Sequence, residues 1–223
     1  MKARMWSVAV VLVVGLLCGS ALAEGKKVEL DKVPAPVMEA AKAAVANITV
    51  KEATMMKADY VLKGAVEKTE YVVTVSAEAK VLCVEEAVDV KAVPEAVMKA
   101  AVEAVKGLEV KSAAKVTEGD KVSYKLMGGK VTVKVSADGK VLSVTEAVEV
   151  KDIPKAVMDA AMAAVKGLEV KSAKKVTEGE AVSYKLMGTA EGKEVKVVVG
   201  ADGKVASVEK EEAAPKAEVK KTP

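Results

Sequence analysis

Histidine and phenylalanine are absent from this 223-residue chain, tryptophan occurs once and tyrosine four times. Arginine occurs only at Arg4, and tryptophan only at Trp6. Without histidine there is no Ser-His or Cys-His pair and no His-ligated zinc. Without arginine beyond the first few residues, bidentate clamps on phosphate or carboxylate are missing. With so few aromatics, base or sugar stacking is poorly served, and a nucleic-acid partner is not expected. Cysteine is also scarce, at Cys18 and Cys83. These shortages remove most enzyme classes, and the expectation is a chain without catalytic, cofactor or metal residues.

What is present begins with an export signal. Lys2 and Arg4 precede an apolar run from Val8 to Leu17, and Ala21-Leu22-Ala23 offers a small-residue cleavage site before Glu24. The run is too short for a span of about twenty residues. Residues 1–23 therefore read as a signal peptide, and the processed chain as periplasmic or secreted with no transmembrane segment. Cys18 invites a lipoprotein reading, but that motif asks for a small residue in front of the cysteine, where bulky Leu17 stands. Cleavage leaves 33 basic against 32 acidic residues, close to neutral and unsuited to a polyelectrolyte partner. It also leaves Cys83 as the one cysteine of the processed chain. Its counterparts in the repeats below are Ser143 and Ser207, so it reads as a small strand residue, with an intermolecular disulfide or reactive thiol as the alternative.

Internal repetition dominates the rest. Pro34, Pro94 and Pro154 are spaced by 60 residues, and each opens a similar run: Val33-Pro34-Ala35-Pro36-Val37-Met38, Val93-Pro94-Glu95-Ala96-Val97-Met98 and Ile153-Pro154-Lys155-Ala156-Val157-Met158. The later copies share Gly107 to Ser112 with Gly167 to Ser172, and Val122 to Gly128 with Val182 to Gly188. Between Gly188 and Val195 the third copy carries four residues more than the second, and the first copy matches the third. Length variation of this kind belongs at a hairpin tip.

Within a copy the period changes once. Val97, Met98, Ala101, Val102 and Val105 recur at helical spacing, which predicts a helix from Pro94 to Lys106 with proline at its first position. Gly107 and Gly167, and Asn47 in the first copy, suit a left-handed residue closing each helix. Alternating stretches follow at Leu108 to Val116, Val122 to Met127, Val131 to Val135 and Val141 to Val144, separated by Gly119, Gly128-Gly129 and Asp138-Gly139. The expected fold is α+β, three tandem repeats, each one helix packed on a four-stranded antiparallel sheet. The expected divisions are signal peptide 1–23, repeats 24–86, 87–146 and 147–210, and a disordered tail 211–223 of Ala, Lys, Glu and Pro.

The strings Tyr124 to Leu126 and Val133 to Leu142, with their partners Tyr184 to Leu186 and Val197 to Val205, resemble the PepSY domain family, including its branch related to β-lactamase inhibitor proteins. The resemblance spans residues 27–210. It implies an exported or envelope-associated α+β module with no catalytic residues and with an inhibitory or protein-binding role. The partner it implies is an exported or envelope protein, such as a peptidase or another hydrolase. The alternative is a structural or spacer protein of the envelope. The first copy departs from the pattern where Glu78-Ala79 replaces Asp138-Gly139, so its last turn is expected to differ or to carry strain.

Several constellations read as structure. Ser112 to Lys115 and Ser172 to Lys175 match the Ser-x-x-Lys of penicillin-binding enzymes, but on strands residues three apart face opposite sides. Asp138 and Asp202 precede glycine as turn formers, since one carboxylate per turn falls short of a calcium site. Met38, Met98 and Met158 share one helical position and read as core packing. The remaining candidate is a weakly basic sheet face containing Lys125, Thr132 and Lys134, a possible surface for a protein partner.

Overall fold

The computed structural model describes residues 25–210. The expected signal peptide and tail lie outside these residues. The described chain runs β1 (Lys26–Val28), α1 (Ala35–Ala44), β2 (Thr49–Met56), β3 (Asp59–Val66), β4 (Thr69–Ser76), β5 (Val81–Val88), α2 (Glu95–Ala104), β6 (Ser112–Glu118), β7 (Lys121–Gly128), β8 (Val131–Ser136), β9 (Val141–Val148), α3 (Lys155–Ala164), β10 (Glu169–Glu178), β11 (Ala181–Ala190), β12 (Lys193–Gly200) and β13 (Val205–Lys210). A single 3-10 turn precedes each helix, at Leu30–Lys32, Val90–Ala92 and Val150–Asp152.

The expected architecture requires correction. The strands do not form three separate four-stranded sheets; they follow chain order through one 13-stranded sheet. The junction of the second and third copies shows why. β9 pairs antiparallel with β10 from Val144↔Thr177 to Val148↔Ala173, so the last strand of one copy is the neighbour of the first strand of the next. Strand alternation specifies which face a residue takes but not which strand lies beside it. Two facing edges, each with a row of unpaired N–H and C=O groups, are satisfied by joining.

By compactness the chain divides into two units. The first holds the described residues up to Ala87 together with Lys115–Val122. Its core gathers Val37, Ala41, Leu62, Val73 and Val75, all 0 % exposed, under α1. Cys83 on β5 is 2 % exposed and packs on Val116 of β6. The second unit holds Val88–Ala114 and the residues from Ser123 onward. It has two cores of the same design, Val97 and Ala101 of α2 over Leu126, Val133 and Val135, and Val157 and Ala161 of α3 over Leu186, Val197 and Val199. A fully buried valine contributes about 1.5–3 kcal/mol, and the alanine beside it lets the helix approach the sheet closely.

The helices have ten residues each, too few to persist alone in water. Burial holds them. Pro94 is the N-cap rather than the first helical residue, and its carbonyl accepts from the N–H groups of Val97 and Met98, both at 3.0 Å. α2 stops at Ala104, two residues before the expected end. The left-handed residues nevertheless sit where the chain turns away, with φ of 61° at Asn47, 77° at Gly107 and 74° at Gly167. Val102 lies off the buried stripe at 42 % exposed, as does its counterpart Met162 at 51 %. Met38, Met98 and Met158 pack against the three cores. The variable hairpin tip turns at Glu191 and Gly192, and the extra residues of the third copy lengthen β11 and β12 instead of making a loop.

Candidate binding surface

Each helix packs on one face of its strands, so the residues alternating with the core form a second, far face. In the second unit the register places Lys125 of β7 opposite Lys134 of β8, and Lys134 opposite Ser143 of β9. Thr132 lies one row along, opposite Met127 and Thr145. The three residues singled out from the sequence thus share the far face. Lys125 is only 8 % exposed, so the most central of them is not displayed to solvent.

The same face continues across the third copy with a denser cluster. One row reads Ala147, Lys174, Lys185, Val198 and Ser207 from β9 to β13. Lys174 and Lys185 are directly opposed. Lys196 is diagonal to Lys185, since it pairs with Met187 two residues on. Like charges directly opposite on a sheet are destabilising. Burial, followed by the charge of Lys196, holds the Lys185 ammonium below the ordinary lysine range; Lys174 adds to this, while Glu178 and Glu209 oppose it. The Lys196 ammonium lies 3.3 Å from the Glu209 carboxylate, with side chains 28 % and 41 % exposed.

Sequence reasoning missed Lys174, Lys185 and Lys196. A signal was available for Lys185, whose flanks Tyr184 and Leu186 repeat Tyr124 and Leu126 around Lys125. Lys174 was less visible, because its partner is fixed only by a register containing a bulge between Val170 and Ser172.

In the first unit the corresponding far-face row is Thr54, Val61, Thr74 and Cys83, which carries no cation. This unit instead has a cleft of about 380 Å³ beyond the end of α1, lined by Ala44, Val45, Ala46, Val66, Tyr71, Val84, Glu86 and Thr117. The Tyr71 hydroxyl donates to the Glu86 carboxylate at 3.2 Å. Burial first, and then the charge and hydrogen bond of Glu86, raise the Tyr71 phenol above its ordinary range.

The other sequence candidates resolve locally. Ser172 opposes Met187 on the far face, whereas Lys175 opposes Tyr184 on the helix face and lies 3.6 Å from Glu146. That serine and lysine cannot cooperate. Asp138 accepts from the Ser136 hydroxyl, which is the leading reason its carboxyl stays below the usual range. Asp202 accepts from the Lys204 N–H at 3.1 Å within its own turn. In the first copy Ala79 takes the left-handed place of Gly139, with φ of 63° against 87°. The expected choice between altered geometry and strain therefore falls on strain, about 1–2 kcal/mol for a residue bearing a Cβ.

No family model matches the chain. No curated protein matches it either. Among solved structures it is similar to a DUF2874 family protein from Bacteroides uniformis, with 16 % identity and a TM-score of 0.43 over 50 % of this chain and 87 % of that one. It is also similar to a BLIP-like protein from Bacteroides fragilis, with 20 % identity and a TM-score of 0.42 over 54 % of this chain and 88 % of the other. A third similarity is to a protein from Bacteroides eggerthii described provisionally as periplasmic, at 20 % identity and a TM-score of 0.41 over 50 % and 86 %. Among the described residues no helix is long and apolar enough to cross a membrane.

Proposed function

We propose that this is an exported, non-catalytic protein-binding module of the PepSY-like kind, acting in the periplasm or outside the cell after cleavage near Ala23. On this reading residues 24–86, 87–146 and 147–210 are its three copies. Its partner is an exported or envelope protein, and an enzyme such as a peptidase or another hydrolase is the partner class the resemblance implies. The observation that carries the reading is the division of labour between faces. Each of α1, α2 and α3 is committed to one face of its own strands, and in the third copy the opposite face holds Lys174, Lys185 and Lys196 in fixed register. An array fixed by strand register suits recognition of another surface, because its side chains are held in place before contact.

The chain from Glu24 to Pro223, immobilised and exposed to envelope extract, is expected to retain one protein that excess free chain competes away. Retention of nothing competable rejects the reading. A spacer role is the second reading, favoured by the continuity of thirteen strands in one sheet. Removing residues 87–146 separates the two. A spacer keeps graded function with reduced length, whereas a binder loses its partner sharply when the contacting copy is removed.

A further inference from the structure

The second and third copies are nearly identical from Gly107 to Gly128 and from Gly167 to Gly188, which makes their differences informative. Ala114 of the second copy becomes Lys174 in the third. At the hairpin, Thr132 becomes Lys196. Both changes bring a lysine to the far face beside the one that the copies share, Lys125 in the second and Lys185 in the third. The first copy has Thr54, Val61 and Val72 at the three positions, none of them charged.

Chance surface lysines point apart into water and act as a solvated coat. These do not. Lys174 and Lys185 are held opposite one another by the β10–β11 register, and Lys196 stands on the next strand at the diagonal. All three are half-buried, so their ammonium groups are partly stripped of water. The carboxylates that act on the Lys185 charge are Glu178 and Glu209, and Glu209 already pairs with Lys196 at 3.3 Å. At Lys185 burial and the neighbouring lysines outweigh these carboxylates, a cost that an incoming anion would relieve.

We propose that Lys174, Lys185 and Lys196 form a binding site for the side-chain carboxylates of an acidic segment on a protein partner. The proposal rests on the binding-module reading and names the chemistry of its contact. Charge complementarity selects the occupant. Three ammonium groups on adjacent strands can be met by carboxylates presented two residues apart on an extended segment, about 6.7 Å from one to the next and within reach of flexible lysine and glutamate side chains. Lysine binds such groups as point charges and needs no arginine fork. Nucleic acid is disfavoured because the same face offers no aromatic side chain for stacking.

The test uses the chain from Glu24 to Pro223 with a hexaglutamate peptide as probe, followed by calorimetry at low salt. The triple variant Lys174→Gln, Lys185→Gln, Lys196→Gln is expected to weaken binding at least tenfold. A control variant of equal charge, Lys99→Gln, Lys106→Gln, Lys166→Gln, is expected to stay within twofold. A cooperative melting curve for the triple variant, with a midpoint no lower than that of the wild type, shows that folding is intact. If it is not, Lys185→Gln alone replaces it and is expected to weaken binding about threefold. Equal binding of hexaglutamate by wild type and variants overturns the proposal. So does tighter, lysine-dependent binding of phosphatidylglycerol vesicles, which would make the surface a membrane contact. The two levels of inference also separate. If an envelope partner is captured equally by wild type and triple variant, the lysine site is wrong and the module reading stands. If hexaglutamate binding depends on the lysines but no partner is captured, the site stands and the module reading fails.

Discussion

At the scale of single residues, Lys185 tests whether the far face is tuned for stability or for contact. Its folded pKa lies below the ordinary lysine value because of burial and then the Lys196 charge. A lysine depressed in this way makes the folded state bind its proton less tightly than the unfolded chain does. The penalty is therefore present at neutral pH and disappears as pH rises through the folded pKa toward about 10.4, the unfolded value. Lys185→Met keeps the apolar stem and removes the charge. It is expected to stabilise the protein by about 0.2–1 kcal/mol at pH 7, with the gain shrinking in strongly alkaline buffer. Urea denaturation at the two pH values measures it, and destabilisation at pH 7 would refute the argument. Tyr71 has the opposite sign. Its folded pKa is raised, by burial ahead of Glu86, so the associated stability is complete below about pH 10 and is lost as pH rises through the folded value. A spectrophotometric titration should show a phenol ionising above the ordinary tyrosine range. Tyr71→Phe should delete that component, and Glu86→Gln should move it down.

At the scale of elements, the hairpins depend on glycines for a reason other than turning. Gly64 and Gly188 sit within strands, opposite Val50 and Val170, where β2 and β10 each carry a bulge. A Cβ on Gly64 would come within 2.6 Å of the Thr49 carbonyl oxygen, and one on Gly188 would overlap the Glu169 carbonyl. Neither obstacle is a flexible side-chain end, so backbone must move. Gly188→Ala is expected to cost about 1–3 kcal/mol in chemical denaturation. Gly119→Ala, which meets no atom but holds φ of 58°, should cost about 1 kcal/mol. A negligible effect of Gly188→Ala would mean that the bulge is not rigid. These glycines also mark the limits of reading from sequence. Gly128-Gly129 reads from sequence as one turn signal, yet only Gly129 has a left-handed φ, at 60°, and Gly128 ends β7. Helix positions and the hairpin tips were legible because proline, glycine and the change of period act over a few residues. The merging of the copies into one sheet was not, because the pairing of β9 with β10 joins residues that no local pattern connects. The far-face candidates divided in the same way. Alternation alone put Lys125, Thr132 and Lys134 on one side, whereas the Lys174–Lys185 contact needed the register of two strands around a bulge.

At the scale of the whole molecule, a sheet built by joining last strand to first has two ends where joining must stop. β9 has partners on both sides, with Ala147 and Val148 lying against Lys174 and Ala173 of β10. Among the described residues β13, its counterpart in the third copy, has a partner only in β12. The sequence changes at that place: Thr145, Glu146, Ala147 and Val148 correspond to Glu209, Lys210, Glu211 and Glu212. Glu209 and Lys210 end β13, and charge on this edge makes it costly for another strand to dock there. At the opposite end β1 lies on β2 with Lys27↔Thr54 and Val28↔Ala53, the same register that β9 makes on β10. This edge is thus covered by a three-residue strand that itself begins with two lysines. Both ends are closed by charge on strands that would otherwise accept a neighbour. Restoring the internal sequence should reopen one of them. The variant Glu209→Thr, Lys210→Glu, Glu211→Ala, Glu212→Val is expected to self-associate, its mass by light scattering rising with concentration while that of the wild type does not. β13 of one copy would then take β2 of another, displacing β1, so deletion of residues 25–28 in the same background should strengthen the association further. A variant that keeps one mass at every concentration would show that the charges are not what ends the sheet.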